Sequence, residues 1–508
     1  MLSSKNGTDK IRPIEMAKCK TNSPPSAEGL NCVPSFDPSL CNDDLKPLQS
    51  QHWNTYNIFA VWMTDVHSVA GYLTAGSLFA LRLSGWQPSQ VTGVPYPVIN
   101  RAIFGIRGAN VPALLRGSIA IAWYGVQTFL ASRALLVVLL KFFPSLVFLH
   151  NSHGFVGLSP LGWCSFGIMS LAQAVLFWMG MEAIRKFIDW AGPAVYVAML
   201  LLAVYLVANA GVRNLSLNLS GDPLPFVDSL PSMFSAVALV VSYFSGPMLN
   251  FGDFSRYAKS WKAVKLGNFL GLPVNFIFFS LLTVLITSAT LPVFGRLITD
   301  PIEVVEQIGN RSSSDWVGLT VVSVGGATFV IATVGINIVA NFISPAFDFS
   351  NLAPNHISWR GGGMITAIAS VLLTPWNWYN NPAAIHFALG ILGALIGPLH
   401  GILVSGYFIA SKQKVWVPDL YSSDVDGRYW FSNGFNPNAL GATAIGGALA
   451  IATVILPKIS TAFGSLHLFS WFVGCFFGFG TFTILEWANP KINLTGNLEG
   501  ATDGQKQK

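Results

Sequence analysis

Apolar runs of roughly 18 or more residues recur along the chain from about Ile58 to about Trp487. As a helix, each run is long enough to cross a hydrocarbon core of about 30 Å. In lipid every backbone N–H and C=O must be paired within the protein, which leaves helices or closed barrels as the spanning structures. Composition agrees with a helical membrane bundle. Of 508 residues, 52% are hydrophobic and 10% are charged, against about 25% charged in an average soluble domain. Gly and Pro inside the runs would weaken helices in water but are tolerated in a lipid-embedded bundle. Eleven spans are predicted, at about 57–81, 111–142, 160–183, 191–211, 232–253, 266–291, 316–346, 361–378, 384–410, 438–457 and 467–488. The organisation expected is a polar, disordered tail over 1–55, a transmembrane domain over 56–490 and a cytoplasmic tail over 491–508.

The net charge of +6 is spread in short clusters between apolar runs, with no basic stripe carrying interleaved aromatics, so nucleic acid is not the partner. Arg101, Arg107 and Arg116 form one cluster. Arg185-Lys186, then Arg256, Lys259, Lys262 and Lys265, then Arg360, then Lys412 and Lys414 form the others. The positive-inside rule makes these loops cytoplasmic. The N-terminal tail lacks a signal-peptide pattern. Cys19, Cys32, Cys41, Cys164 and Cys475 fit neither a zinc site nor a redox pair. A multi-pass protein of the plasma (cytoplasmic) membrane, with the bilayer as partner, is the expectation.

Two segments are not ordinary helices. Trp62-Met-Thr-Asp-Val-His-Ser-Val-Ala-Gly71 carries an acid and an imidazole in mid-segment. Charge there is costly in lipid, so it should face a cavity or a partner. In Tyr243-Phe-Ser-Gly-Pro-Met-Leu-Asn-Phe-Gly-Asp253 the Gly246-Pro247 step removes a backbone donor and should break the helix. Interrupted helices early in each half point to an inverted-repeat transporter with its site at the breaks. The bland alternative is a pair of kinked structural helices.

Trp123 and Gln127 are one helical turn apart, as are Asn337 and Asn341. A primary amide offers a donor and an acceptor together, matching the edge of a lactam or ureide. Trp123 and Phe244 can supply faces for a flat ring, while Gln127 and Asn341 can read its edge. Such amides also serve as glue between neighbouring helices.

The motifs Asn54-Thr-Tyr-Asn-Ile-Phe-Ala-Val-Trp62, Phe104-Gly-Ile-Arg-Gly-Ala-Asn-Val-Pro-Ala-Leu-Leu-Arg116 and Trp123-Tyr-Gly-Val-Gln127 resemble nucleobase–cation symporter family 1. So do Asp253-Phe-Ser-Arg256, Asn337-Ile-Val-Ala-Asn-Phe-Ile-Ser-Pro-Ala346 and Gly397-Pro398. Asn42-Asp-Asp-Leu45 is similar to the start of allantoin-type members. The resemblance implies an all-α, LeuT-type inverted-repeat bundle carrying uracil, cytosine, purines, allantoin, hydantoins or thiamine, with no cofactor beyond a coupling cation. It also implies that Trp123 and Phe244 stack on the substrate, that Gln127 and Asn341 bind it, and that the first-span polar position falls near His67 and Ser68.

Two departures from the family pattern follow. Sodium-coupled members have a Ser-Thr pair before Asn-x-x-x-Asn, where this chain has Gly335 and Ile336. Neither offers a side-chain oxygen, so a proton is favoured over sodium as the coupling ion, with sodium the alternative, and Asp65, His67 and Asp253 are ion-coupling candidates with Glu182 a weaker one. His67 has the ordinary imidazole range that suits a proton carrier. The second departure is that Leu83-Ser-Gly-Trp-Gln87 runs directly into Pro88-Ser-Gln-Val-Thr-Gly-Val-Pro95, with no room for the family's second span. Eleven spans instead of twelve would put the N-terminus outside, unless the first segment inserts only partly. The competing functions are therefore a transport-impaired variant that only binds, and an uncoupled channel. A membrane-embedded enzyme is disfavoured, because no metal cluster, nucleophile elbow or paired carboxylate stands out in the loops.

Overall fold

The computed structural model describes residues 36–67, 87–215, 226–311, 315–379, 382–460, 463–464 and 466–492. Ser68 and the second half of the first segment lie outside these residues. Among the described residues all regular structure is helical, and pairing of extended chain is limited to isolated bridges. The principal helices are α1 (Thr55–Val66), α2 (Asn110–Phe142), α3 (Pro160–Trp178), α4 (Met181–Ala210) and α5 (Phe226–Leu249). They continue with α6 (Trp261–Phe294) and with α7, which runs from Asp315–Ile338 through a π turn at Val339–Ile343 into Ser344–Leu352. The last four are α8 (Trp359–Leu372), α9 (Pro382–Val404), α10 (Pro437–Ile459) and α11 (Ser470–Ala488).

Among the described residues, eight helical stretches have the length and apolarity of a membrane span, and each falls on one of the eleven expected segments. The other three segments, 57–81, 232–253 and 361–378, correspond to α1, α5 and α8. The described part of the first segment, α1, has 12 residues. At 1.5 Å per residue it is about 18 Å long, too short to cross by itself.

α1 begins at a capping box in which Asn54 Oδ1 accepts from the Tyr56 and Asn57 N–H groups and Asn57 Oδ1 accepts from the Asn54 N–H. Its sides are gripped at glycines. A Cβ on Gly335 of α7 would lie 2.4 Å from the Thr64 methyl, one on Gly271 of α6 would lie 2.8 Å from Trp62 Cβ, and one on Gly192 of α4 would lie 3.0 Å from Met63. Small residues are how helices approach closely in lipid, where apolar burial by itself does not drive association. α1 ends at His67, which leaves the helical region at φ −81°, ψ 62°.

The helix-breaking expectation at Gly246-Pro247 needs correction in position. α5 runs through both residues and stops at Leu249, and a separate turn of helix then covers Gly252–Ser255. The proline lies in the last turn of α5, so its missing donor costs a single ladder bond. The Asn250 N–H, donating to Gly246 O at 3.3 Å, carries the chain past it.

Residues 36–54 lie on the same end of the bundle as the basic loops. Trp53 pairs with the 257–259 strip, donating to Tyr257 O and accepting from the Lys259 N–H. Arg256 donates to the carbonyls of Gly93, Asp44 and Lys46, and Arg101 to those of Leu40 and Leu420. Asn42 Nδ2 reaches Ser350 Oγ at 2.8 Å. The segment leading into α1 therefore shares the face of the loops around Arg101, Arg256 and Arg360.

Candidate functional site

The middle of α2, the end of α5 and the π turn of α7 meet at a cavity. Polar walls come from Asp65, Arg116, Gln127 and Asn341, and aromatic walls from Trp123 and Tyr243. Ile119, Ile336, Leu392 and Ile396 supply apolar surface. On α2, Arg116, Trp123 and Gln127 stand seven and eleven residues apart, which places them on one helix face. On α7 the π turn brings Ala340 and Asn341 round to the same space. The free space is about 30 Å³, enough for roughly one or two waters. A heterocycle therefore enters only if the aromatic walls part.

Three of the expected substrate residues come together here: Trp123, Gln127 and Asn341. Trp123 is half-buried, and its ring stands 6.2 Å from Tyr243 at 86°. Gln127 Oε1 is buried without a hydrogen-bond partner. Asn341 Nδ2 donates to Asn337 Oδ1 at 3.2 Å, holding the Asn341 amide in one orientation. Asn337 itself is tied away from the cavity: its Nδ2 donates to Gln173 Oε1 at 2.6 Å, Thr128 Oγ1 at 3.0 Å and Tyr124 O at 3.1 Å. The two asparagines thus divide the roles that the sequence left open, one serving as glue between helices and the other facing the cavity.

Phe244 is placed elsewhere. Its ring is buried against Trp62 at 6.4 Å and Phe276 at 5.4 Å, both edge-on, and it does not line the cavity. Neighbouring residues on a helix point about 100° apart, so Tyr243 and not Phe244 presents its ring to the space beside Trp123.

The ion-coupling candidates also separate. Asp65 lines the cavity, and its Oδ2 is buried without a hydrogen-bond partner. His67 does not line it. The imidazole is stacked on Phe279 at 4.6 Å, with Nδ1 3.2 Å from Gly192 O and Nε2 2.9 Å from the Asn275 side-chain amide. Only a donor suits Gly192 O, so Nδ1 carries hydrogen. Turning the Asn275 amide over would let its otherwise unpaired Nδ2 donate to Nε2 and leave a neutral, fully satisfied ring. Asp253 lies on the short turn after α5, fully buried, with Oδ1 accepting from the Tyr96 N–H at 2.8 Å. Glu182 sits at the surface end of α4, paired with Arg185 at 2.6 Å.

Arg116 is the site residue that the reading by motif passed over, because it was counted with the loop cations. It is buried inside α2, donates Nη2 to Ala340 O at 2.6 Å, and keeps Nε without a partner. Gly246 makes room for it: a Cβ there would stand 3.4 Å from Nη2. Its spacing to Trp123 and Gln127 was the signal available in the sequence. Tyr243 was also unassigned.

Residues 87–474 match the model of a family described as permeases for cytosine/purines, uracil, thiamine and allantoin. Over 478 residues the chain is 31% identical to the allantoin permease of Bacillus subtilis, covering 90% of this chain and 95% of that protein. It is 32% identical over 449 residues to a purine-uracil permease of Arabidopsis thaliana, covering 84% and 73%. Among solved structures it superposes on Mhp1, a nucleobase-cation-symport-1 family transporter in a closed conformation with bromovinylhydantoin bound, with a TM-score of 0.68 and 20% identity. That match covers 91% of this chain and 99% of the other, and it establishes the LeuT-type inverted-repeat fold.

Proposed function

The chain belongs to the permease family for cytosine and purines, uracil, thiamine and allantoin, a multi-pass membrane transporter of heterocycles, and we propose that it imports a planar ring with a lactam or ureide edge by proton symport. The observation that carries the substrate class is the cavity in which Trp123 and Tyr243 present aromatic rings while Gln127 Oε1 and the Asn341 amide present hydrogen-bonding atoms to the same space. A ring that slides between the two aromatics places its N–H opposite Gln127 Oε1 and its C=O opposite an amide N–H. A ligand lacking the matching edge leaves buried polar groups unpaired, which costs about 1–3 kcal/mol for each. Uracil and allantoin both carry that edge.

Support for the proton comes from the α1–α7 contact. Sodium requires a cluster of hard oxygen ligands at close range. At Gly335 there is no side chain, and the space a Ser side chain would fill is taken by the Thr64 methyl. Ile336 adds an apolar side chain to the cavity wall. In this reading the substrate enters from outside, parts the aromatic walls that close the small cavity, and leaves toward the cytoplasm once the inner end opens.

The test is uptake of labelled uracil, cytosine, allantoin, a benzyl-hydantoin and thiamine into cells lacking their own carriers, with sodium and pH varied separately. Saturable uptake that rises as external pH falls and ignores sodium supports the reading. Uptake that follows sodium removes the proton, and no uptake from protein present in the membrane leaves a binding protein that does not transport.

A further inference from the structure

Three buried carboxyl groups surround one guanidinium. Asp65, Asp253 and Asp348 are each 1% exposed or less, as is Arg116. Arg116 interacts electrostatically with all three, yet it forms no ion pair within 4 Å with any of them. Arg256 lies near Asp253, but each of its nitrogens donates to a carbonyl, of Gly93, Asp44 and Lys46. Fully ionised, the three acids would outnumber the two nearby cations in a buried region. Neighbouring carboxylates cannot all keep their charge under those conditions, because each added negative charge is both desolvated and repelled.

The hydrogen bonds distinguish the three acids. Asp253 receives the Tyr96 N–H at 2.8 Å, a donor that suits an anion. Asp65 borders the cavity. Asp348, on the last helical stretch of α7, has no hydrogen-bond partner on either oxygen. The groups facing it are Arg116 from α2, Asp253 from the turn after α5, and Tyr96 from the short helix Tyr96–Ile99. His356 and Arg360, from the segment that follows α7, are exposed, and Arg360 sits over the Trp178 ring. Arg101 is turned to Asn351, Leu40 O and Leu420 O. None of these groups donates a hydrogen bond to Asp348, and Arg116 is the one cation that faces it.

We propose that Asp348 is the carboxyl that carries the coupling proton, and that Arg116 transmits its protonation state to the substrate cavity. This rests on the proton-symport reading above. The Asp348 O–H bond forms with a proton from the outside solution and breaks to cytoplasmic water when the inner end opens. While Asp348 is neutral, Arg116 is held by its hydrogen bond to Ala340 O. Once Asp348 loses its proton, its anion draws the guanidinium away from the cavity, and the wall that Arg116 shares with Trp123 and Gln127 changes shape. Asp348 is not among the residues that line the cavity, so in this proposal it acts on substrate through Arg116.

The experiment uses the full chain in proteoliposomes with labelled uracil and labelled allantoin. Two readouts are taken: accumulation driven by an imposed gradient of one pH unit, and exchange of internal for external label with no gradient. For one proton per substrate, the wild type should accumulate label up to about tenfold. Asp348→Asn should keep exchange and lose accumulation, to a ratio of about one. Accumulation by Asp348→Asn at the wild-type ratio overturns the inference while leaving proton symport intact. Wild-type accumulation that follows sodium, or transport of neither probe, sinks the symport reading and this inference with it. If Asp348→Asn fails to fold, Asp348→Glu decides: a displaced pH midpoint of accumulation supports the assignment, and an unchanged midpoint overturns it.

Discussion

Replacing Trp123 by alanine removes one aromatic wall of the cavity and leaves the other, Tyr243, at its place on α5. The side chain is half-buried with its ring edge-on to Tyr243, so one face is available to a flat ligand. Stacking of a base on an aromatic side chain is worth about 1–3 kcal/mol by alanine substitution. Since 1.4 kcal/mol is a factor of ten, affinity for uracil or allantoin should fall about 5- to 150-fold. The control is Trp163→Ala. Trp163 sits in a separate cluster, 4.9 Å from Trp376 at 74°, with its indole N–H donating to Phe155 O at 2.9 Å. Its loss should cost stability, about 3 kcal/mol or more for a buried large aromatic and less for this partly exposed one, and leave the affinity of the folded fraction unchanged. Equilibrium binding of labelled ligand to purified protein, with thermal unfolding measured on the same samples, separates the two effects. Equal affinity loss from both substitutions would refute the assignment of the stacking wall. So would a Trp123→Ala protein that binds as well as the wild type.

Gln127→Leu keeps the volume and removes the unpaired acceptor, so it should weaken binding of ligands with an N–H edge by about 1–3 kcal/mol and change N-methylated analogues less; a KM comparison across the analogue pair reads this out. Asn337→Ala opens three bonds between helices and also frees the Asn341 amide, so it should lower the unfolding temperature and raise KM, whereas Asn341→Ala should raise KM with a smaller loss of thermal stability. Gly335→Ala would put a methyl 2.4 Å from the Thr64 side chain and should cost about 1–3 kcal/mol of overpacking, seen as a lower unfolding temperature, with no gain of sodium dependence in uptake. Arg256→Ala removes the guanidinium that holds the Asp44 and Lys46 carbonyls; limited proteolysis should then cut within residues 36–54 faster than in the wild type, and an unchanged cleavage rate would show that other contacts hold the segment.

Local chemistry made much of this protein legible in its sequence. Run length and hydropathy depend only on neighbouring residues, and eight of the expected spans coincide with long apolar helices. Helical spacing put Trp123 and Gln127 on one face, and the cavity lies on that face. The family motifs carried the fold. Four matters were left to tertiary structure. Whether Tyr243 or Phe244 meets the cavity depends on the rotation of α5 about its own axis, which is set by packing against Trp62 and Phe276. The split between Asn337 and Asn341 depends on Gln173 and Thr128, 164 and 209 residues away along the chain. The side on which residues 36–54 lie depends on hydrogen bonds to loops around Gly93, Arg256 and Tyr421. In one dimension Arg116 reads as a loop cation and Asp348 is not singled out. Only in three do they share a buried space, and charge exerts its influence across space regardless of distance along the chain.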